Sequence, residues 1–466
     1  MLTIHDTDRR MGRRNFLRVG SLGLGGLALP QLLASRAAAA AQQNRAVTDK
    51  SVIFLFLHGG PSQIETFDPK MDAPAEVRSA TGELSTSIPG ITFGGTFPKL
   101  AQLAHRMSIV RSYQTGDGNH DIKPIVGRQT LGANLGSLYS RVAGTNHPTT
   151  GMPTNAMLFP RAVDNSTQPG NFGFGRFDAV GPLGSAYTPF IPGAGGNLQK
   201  DMELVLKREQ LDDRRNLLTR LDQLKRSFDS RGAVEGMDRF QEQAFQTIFG
   251  GVSQAFDLSR EDAKTVARYD TAPLVRPDQI SRKWNNYNNY VDNAKSLGKL
   301  LLLARRLCEA GCGFVTVTTN FVWDMHADIN NATAEEGMQY MGPPLDHAVS
   351  AFMEDVEARG LSDKILLVMS GEMGRTPRLN NNGGRDHWGG LAPLGLIGGG
   401  LKMGQVIGQS TRDAGQPLSE SLGIDNLIAT IMGTLLRLGE VRLQTNLPAE
   451  VIRTLTTPQP IPGLLG

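Results

Sequence analysis

Cysteine is almost missing from this 466-residue chain, which has only Cys308 and Cys312, in LCEAGCGF. A chain of this length can bury a core large enough to need no disulfide framework. The two residues therefore read as buried, unbonded thiols at a helix end, ahead of a redox or metal pair. Long hydrophobic runs are also missing. The one candidate, Val19 to Leu33, is short and rich in glycine, which argues against a bilayer span. Charge of one sign is scarce too, with 48 Lys and Arg against 45 Asp and Glu. Residues 1–41 hold six of the arginines and only two aspartates, so the remainder is close to neutral. That balance excludes general nucleic-acid binding, which needs a basic surface.

The excess of arginine at the start has a reading of its own. Arg13-Arg14-Asn15-Phe16-Leu17-Arg18 precedes the Gly/Leu-rich run, and Ala37 to Ala41 supply small residues for cleavage. This is the layout of a signal peptide, and paired arginines followed by Phe-Leu resemble a twin-arginine signal. We expect residues 1–41 to be removed, leaving a mature chain from residue 42 to 466. That chain would be periplasmic or secreted, would use the twin-arginine export machinery, and would keep no stable transmembrane segment.

The composition is that of a globular protein, 39% hydrophobic and 20% charged, with glycine high at 54 residues. Ser51 to Leu57 (SVIFLFL) reads as a buried strand ending at His58-Gly59-Gly60. Pro98 to Met107 has helical spacing with proline at a permitted first-turn position, and Ser108 to Ser112 reads as a strand. Residues 132–197, rich in Gly, Pro and Asn, read as loops decorating the core. Residues 198–270 read as helical, with a capping box at Ser259–Asp262. The mixed charges of Lys207 to Arg231 fit a solvated helix face. Together these make a helical and loop insertion around residues 132–290. Helices at Val291–Ala310, Pro344–Arg359 and Ile424–Leu438 then alternate with strands at Gly313–Thr319, Lys364–Ser370 and Leu391–Gly399. Such alternation predicts an α/β fold, a mainly parallel central sheet with helices on both faces. Ligands of such sheets bind beyond the carboxyl ends of the strands.

Polar residues gather where those strands end. The first runs into His58, Ser62, Glu65 and Asp68, and the second into Arg111 and then Asp117-Gly-Asn119-His120-Asp121. The third leads to Asp324-Met-His326, the fourth to Glu372, Arg375 and Arg378 and then to Arg385-Asp386-His387-Trp388. Four of the eight histidines therefore lie in strand-exit loops. Asp324 and His326, two apart in an extended segment, point the same way. Glu372, Asp386 and His387 can supply further ligands from the adjoining loop. Mixed imidazole and carboxylate ligands suit Zn, Mn or a similar divalent ion. Two ions about 4 Å apart suit phosphoester-like hydrolysis. The plainer readings are that His105 and His147 are surface or loop residues, that Asp68 caps a turn before Pro69, and that the arginines pair with carboxylates in an ion-free salt-bridge network.

HGGPSQIETFDPK, WDMHAD, GEMGRTPR and GRDHWGG together resemble the DUF1501 family of exported bacterial proteins, over roughly Ser51 to Leu438. The resemblance implies an alkaline-phosphatase-like and sulfatase-like fold and a metal-dependent hydrolase of sulfate or phosphate esters, acting on a small-molecule or polysaccharide substrate. It implies one or two divalent ions (Zn, Mn, Ca or Mg) held by Asp324, His326, Glu372 and His387, with Asp386 beside them and Glu65 or His58 supplying a ligand after the first strand. Relatives carry a Cys, Ser or Thr nucleophile after the second strand. Here DGNHDIKPIV offers only Asn119 and His120, with Thr115 and Thr130 out of register, which puts covalent transfer in doubt. His120 would then sit at the reaction centre as nucleophile, general base or ligand, with Arg375 and Arg128 stabilising anionic oxygen. The alternative is a non-catalytic metal-binding or ligand-binding module on the same fold.

Overall fold

The structure, a computed structural model, describes residues 45–193 and 252–465. The expected signal peptide, the charged stretch Lys207 to Arg231 and most of the expected helical region lie outside them. The central sheet has seven strands: β1 (Ser51–Phe56), β2 (Ser108–Val110), β3 (Asn155–Leu158), β4 (Phe314–Val317), β5 (Ile365–Ser370), β6 (Leu394–Gly398) and β7 (Val406–Ile407). Their order is β7-β2-β6-β5-β1-β4-β3. β5, β1, β4 and β3 pair in parallel. β6 runs antiparallel to both its neighbours, β5 and β2, while β7 is parallel to β2. Six strands thus point one way and β6 alone is reversed.

Four helices cover the sheet: α1 (Leu135–Ala143), α2 (Tyr287–Glu309), α3 (Ala334–Ala358) and α4 (Ile424–Leu435). Side chains alternate across a strand, and β1 shows the consequence. Ile53 and Leu55 join the core under α2 and α3, while Val52, Phe54 and Phe56 join the one under α1 and α4. With both faces covered, β1 is apolar throughout, which is why the run SVIFLF is so legible.

Several elements differ from the sequence reading. The stretch read as decorating loops contributes α1 and the edge strand β3. Only four residues long and set among Gly, Pro and Asn, β3 owes its state to its parallel register with β4. α3 starts ten residues before Pro344: Thr333 caps it through Glu336 N–H, and Pro343 and Pro344 lie inside, each lacking one helical donor. The expected helix at Pro98–Met107 is a short helix, Pro98–Gln102, followed by a 3-10 turn. Asp346 on α3 accepts its first amides, Lys99 N–H at 3.1 Å and Leu100 N–H at 2.7 Å. No box forms from Ser259. Asp262 caps its own helix through Thr265 N–H, and Asp257 receives Ser259. Cys308 and Cys312 are buried and free. Among the described residues, no helix is long and apolar enough to cross a membrane.

One ion network fastens α2 to α3. The Arg305 side chain, 1% exposed, meets Glu261 at 2.7 Å and Glu309 at 2.5 Å. Arg359 of the following turn meets Glu261 at 2.8 Å and Asp355 at 2.7 Å. Arg305→Met removes the cation that Glu261, Glu309 and Asp355 share and leaves Arg306 and Arg359 to hold them, and is expected to cost about 1–3 kcal/mol in urea unfolding. Burial pushes the Glu261 carboxyl up, but hydrogen bonds from Arg305 and Arg306 outweigh it and bring it down to about 2 from an ordinary 4.5. Because the folded value is depressed, this stabilisation is complete above pH 4.5 and is lost as pH falls toward 2. Glu261→Gln should therefore flatten stability against pH across that window, as read by denaturation midpoints.

Candidate metal centre

The reversal of β6 positions the loop between Gly371 and Pro393. It leaves β5 at the carboxyl edge of the parallel strands and re-enters the sheet at that same edge. Within it, Gly374–Arg375 pairs antiparallel with His387–Trp388, which returns His387 to the edge. The turn after β1 packs against the loop after β4 because Gly59 has φ +115° and no side chain. A Cβ there would sit 2.6 Å from Asp324 N and 2.8 Å from Trp323 N. The Gly59 N–H donates to Glu372 at 2.9 and 3.2 Å. The loop carrying His120 is drawn together by Lys123, whose ammonium meets Asp117 at 2.7 Å and Asp121 at 3.0 Å.

Three side chains converge there. His120, Asp324 and His387 each offer a ligand atom within 4.8 Å of the others. His120 Nε2 lies 2.9 Å from His387 Nε2, and Asp324 lies 3.5 Å from His120 Nε2 and 3.4 Å from His387 Nε2. Two imidazole nitrogens facing each other at this distance cannot both carry a proton, so the space between them suits a proton or a cation. Ligands at about 2.0–2.1 Å from a tetrahedral ion lie about 3.3 Å apart, close to the spacings found. The donor set therefore fits a metal ion.

The neighbours orient that set. His120 Nδ1 lies 3.2 Å from Glu372 Oε1. With Nδ1–H donating there, the Nε2 lone pair is turned inward, the usual way a carboxylate prepares a ligating histidine. His326 Nδ1 lies 2.6 Å from Asp324 Oδ1, and Asn331 Nδ2 donates to Asp324 Oδ2 at 3.0 Å. Burial would raise the Asp324 carboxyl, but Arg375 and the hydrogen bonds from His120, His326 and His387 hold it well below the carboxylate range. Burial lowers His120, but its bonds to Asp324 and Glu372 prevail and raise it. The bond to Asp324 raises His326 despite partial burial.

The remaining expected residues are placed elsewhere or given other tasks. His326 and Glu372 stand beside the three-residue group as hydrogen-bond partners of its members. Asp386, exposed, accepts from Asn380 Nδ2 at 2.9 Å. Glu65 does not reach the centre: it is fully buried and paired with Arg385 at 2.9 Å, and also accepts from Ser79 at 2.7 Å. His58 sits in a cage of Phe56, Phe174, Phe177 and Phe321, where burial pushes it down to about 4; neither ring nitrogen has a hydrogen bond. Arg375 is not free to meet an anionic oxygen. It is 1% exposed and donates to Gly60 O at 2.7 Å, Asp324 at 2.6 Å, Arg385 O at 3.2 Å and Gly59 O. Its donors went to carbonyls because three loops pack around it, which spacing in the chain does not reveal. Asn119 is exposed, in a turn whose N–H donates to Asp117, and Arg128 is exposed on a 3-10 turn. Neither lines the cleft at the centre. Thr115 is buried, and Thr130 Oγ1 donates to Ala133 O at 2.6 Å.

Sequence reasoning missed two contributors, Lys123 and Asn331. Lys123 carried a signal, a lone cation in the acidic DGNHDIK. Asn331 carried none, being one of several asparagines in a loop. Asp68, read as a turn cap, is instead buried against Arg111 at 3.3 Å and Lys70 at 3.1 Å.

Among solved structures, the chain is similar to the PsFucS1 sulfatase from Pseudoalteromonas sp., at 11% identity and TM-score 0.35, over 86% of this chain and 71% of that one. It is also similar to the phosphonate monoester hydrolase of Agrobacterium radiobacter, at 13% identity and TM-score 0.26, over 82% of this chain and 73% of that one. A third is the lipoteichoic acid synthase LtaP from Listeria monocytogenes, at 7% identity and TM-score 0.30, over 85% and 77%. No curated protein matches the chain significantly. The family model described as "Protein of unknown function (DUF1501)" matches residues 49–439, so this chain, with its histidines and carboxylates gathered at one sheet edge, belongs to the DUF1501 family.

Proposed function

We propose that this protein is an exported, metal-dependent hydrolase of sulfate or phosphate esters. The observation that carries this reading is the convergence of His120, Asp324 and His387 within 4.8 Å at the edge of the sheet, at the head of a cleft. Two imidazoles and one carboxylate favour Zn or Mn over Ca or Mg, which prefer all-oxygen sites. When bound, such an ion polarises an ester oxygen and lowers the pKa of a water. The protein's own part is positional. Glu372 fixes the His120 tautomer, Arg375 and Asn331 hold the two oxygens of Asp324, and the paired strands Gly374–Arg375 and His387–Trp388 set His387. With Arg375 buried and bonded to Asp324 and to carbonyls, a bound ion would supply the charge that a tetrahedral anion requires. Among the described residues no Ser, Thr or Cys lines the cleft, so attack by water suits these residues better than a covalent intermediate. That same lack favours a second reading, a metal-binding module without turnover. Export rests on the N-terminal residue pattern.

Elemental analysis of protein grown with Zn, Mn, Ca and Mg is the test, paired with turnover of p-nitrophenyl sulfate and phosphate. We expect one bound ion per centre in the wild type and none in a folded His387→Ala variant. Glu372→Gln, which keeps the shape but weakens the hold on His120, should lose about 10–100-fold in metal affinity against a chelator. A stoichiometric ion without turnover of any ester selects the second reading. No ion in the wild type ends both.

A further inference from the structure

The cleft at the centre has a volume of about 480 Å³ and an unusual lining. Beyond the three histidines and two aspartates at its head, it is walled, among the described residues, by six asparagines and by Phe174 and Phe321, with no lysine or arginine. Phe174 lies stacked on Phe321, ring centroids 4.1 Å apart and planes within 16°, and Phe174 remains partly exposed.

The asparagines are organised as a chain leading away from the centre. Asn331 donates to Asp324, Asn286 Nδ2 donates to Asn331 Oδ1 at 3.3 Å, and Asn289 Nδ2 donates to Asn286 Oδ1 at 2.6 Å. Asn320, beneath the wall, donates to Asn289 Oδ1 at 3.4 Å, and its own Oδ1 accepts the Asn171 N–H at 3.0 Å. Beside this chain, Asn285 donates to Asn330 Oδ1 at 2.9 Å. These bonds fix the inner amides and leave Asn171 Nδ2 and Asn285 Oδ1 without a partner among the described residues. The start of α2 borders the wall, where Asn286 N–H donates to Asn330 O at 3.0 Å and Tyr287 N–H to Trp284 O at 3.1 Å.

We infer that this cleft binds the neutral, hydroxyl-rich part of the substrate, a saccharide, with a sugar face on Phe174 and its hydroxyls on the asparagine wall. An amide offers both donor and acceptor, which matches a hydroxyl that is also both. An aromatic face is electron-rich and receives the polarised C–H bonds of a pyranose. The alternatives fit poorly. A second phosphate or a nucleotide would need a cation, and the described residues of the cleft supply none, while an alkyl chain would strand the amides without partners. The inference rests on the reading of the centre as the place of ester cleavage.

Saturation-transfer NMR and calorimetry on the mature protein test it, with cellobiose, lactose and maltose as neutral probes and octyl sulfate as the alkyl control. We expect at least one disaccharide to bind, and Phe174→Ala and Asn171→Ala/Asn285→Ala each to weaken it tenfold or more. His387→Ala should lose the ion and keep the sugar. Binding of no disaccharide at millimolar concentration, or binding unchanged in Phe174→Ala, overturns the inference, even where the ion and ester turnover are present. A bound sugar in a wild type that holds no ion sustains the cleft assignment and removes the hydrolase reading alone.

Discussion

The buried guanidinium of Arg375 joins elements that the chain keeps far apart. It spans the carbonyls of Gly59 and Gly60 after β1, the carboxylate of Asp324 after β4 and the carbonyl of Arg385 in its own loop. A planar fork of donors is suited to several acceptors at once, and a lysine has no equivalent geometry. An uncompensated charge at this depth would be costly, so Asp324 and Arg375 require each other. The histidines then arrange themselves around a carboxylate whose position is already settled.

Topology supplies the rest of the convergence. In a wholly parallel sheet the chain after β5 would have to cross to the opposite edge before forming another strand. Reversing β6 lets residues 371–393 remain at the carboxyl edge, where the loops after β1, β2 and β4 also emerge. The same loop can then supply Glu372 at one end and His387 at the other. The second buried pair, Glu65 with Arg385, anchors the middle of the loop to the helix after β1. Arg385 extends this hold through Val77 O at 2.9 Å and Arg78 O at 3.0 Å. A carboxylate expected to be a ligand thereby braces the loop that carries His387.

The electrostatics of the site follow a gradient. Asp324 and Glu372 are buried carboxyl side chains beside the buried guanidinium of Arg375, and the His120 and His326 imidazoles are drawn toward their protonated forms. That surplus of negative charge is what a divalent ion would neutralise. Farther out, charge gives way to amides, and the hydrogen bonds of Asn331, Asn286 and Asn289 connect the two regions without a break. His58 is the exception: its aromatic cage leaves it neutral and unbonded despite its nearness to the acidic pair.

The sequence by itself determined the fold class and the sheet edge at which the candidate residues gather. Strands buried on both faces, such as SVIFLF and KILLVMS, write their burial directly as apolar runs, and the parallel alternation then directs every strand-exit loop to one edge. The motif families at those exits named most of the residues now found at or beside the centre, including His120, Asp324, His326, Glu372 and His387. What the tertiary structure decided was the assignment among them. Whether a carboxylate faces a metal site or an arginine depends on which loop packs opposite it. Glu65 and Arg375, which share residue types with metal ligands and anion binders in general, were settled by contacts more than 300 positions away for Glu65–Arg385 and Arg375–Gly59. The edge strand Asn155–Leu158 and the asparagine wall were equally hidden. The former takes its conformation from the neighbour it pairs with. The latter takes its meaning from residues of separate loops brought side by side, which no local pattern in the chain records.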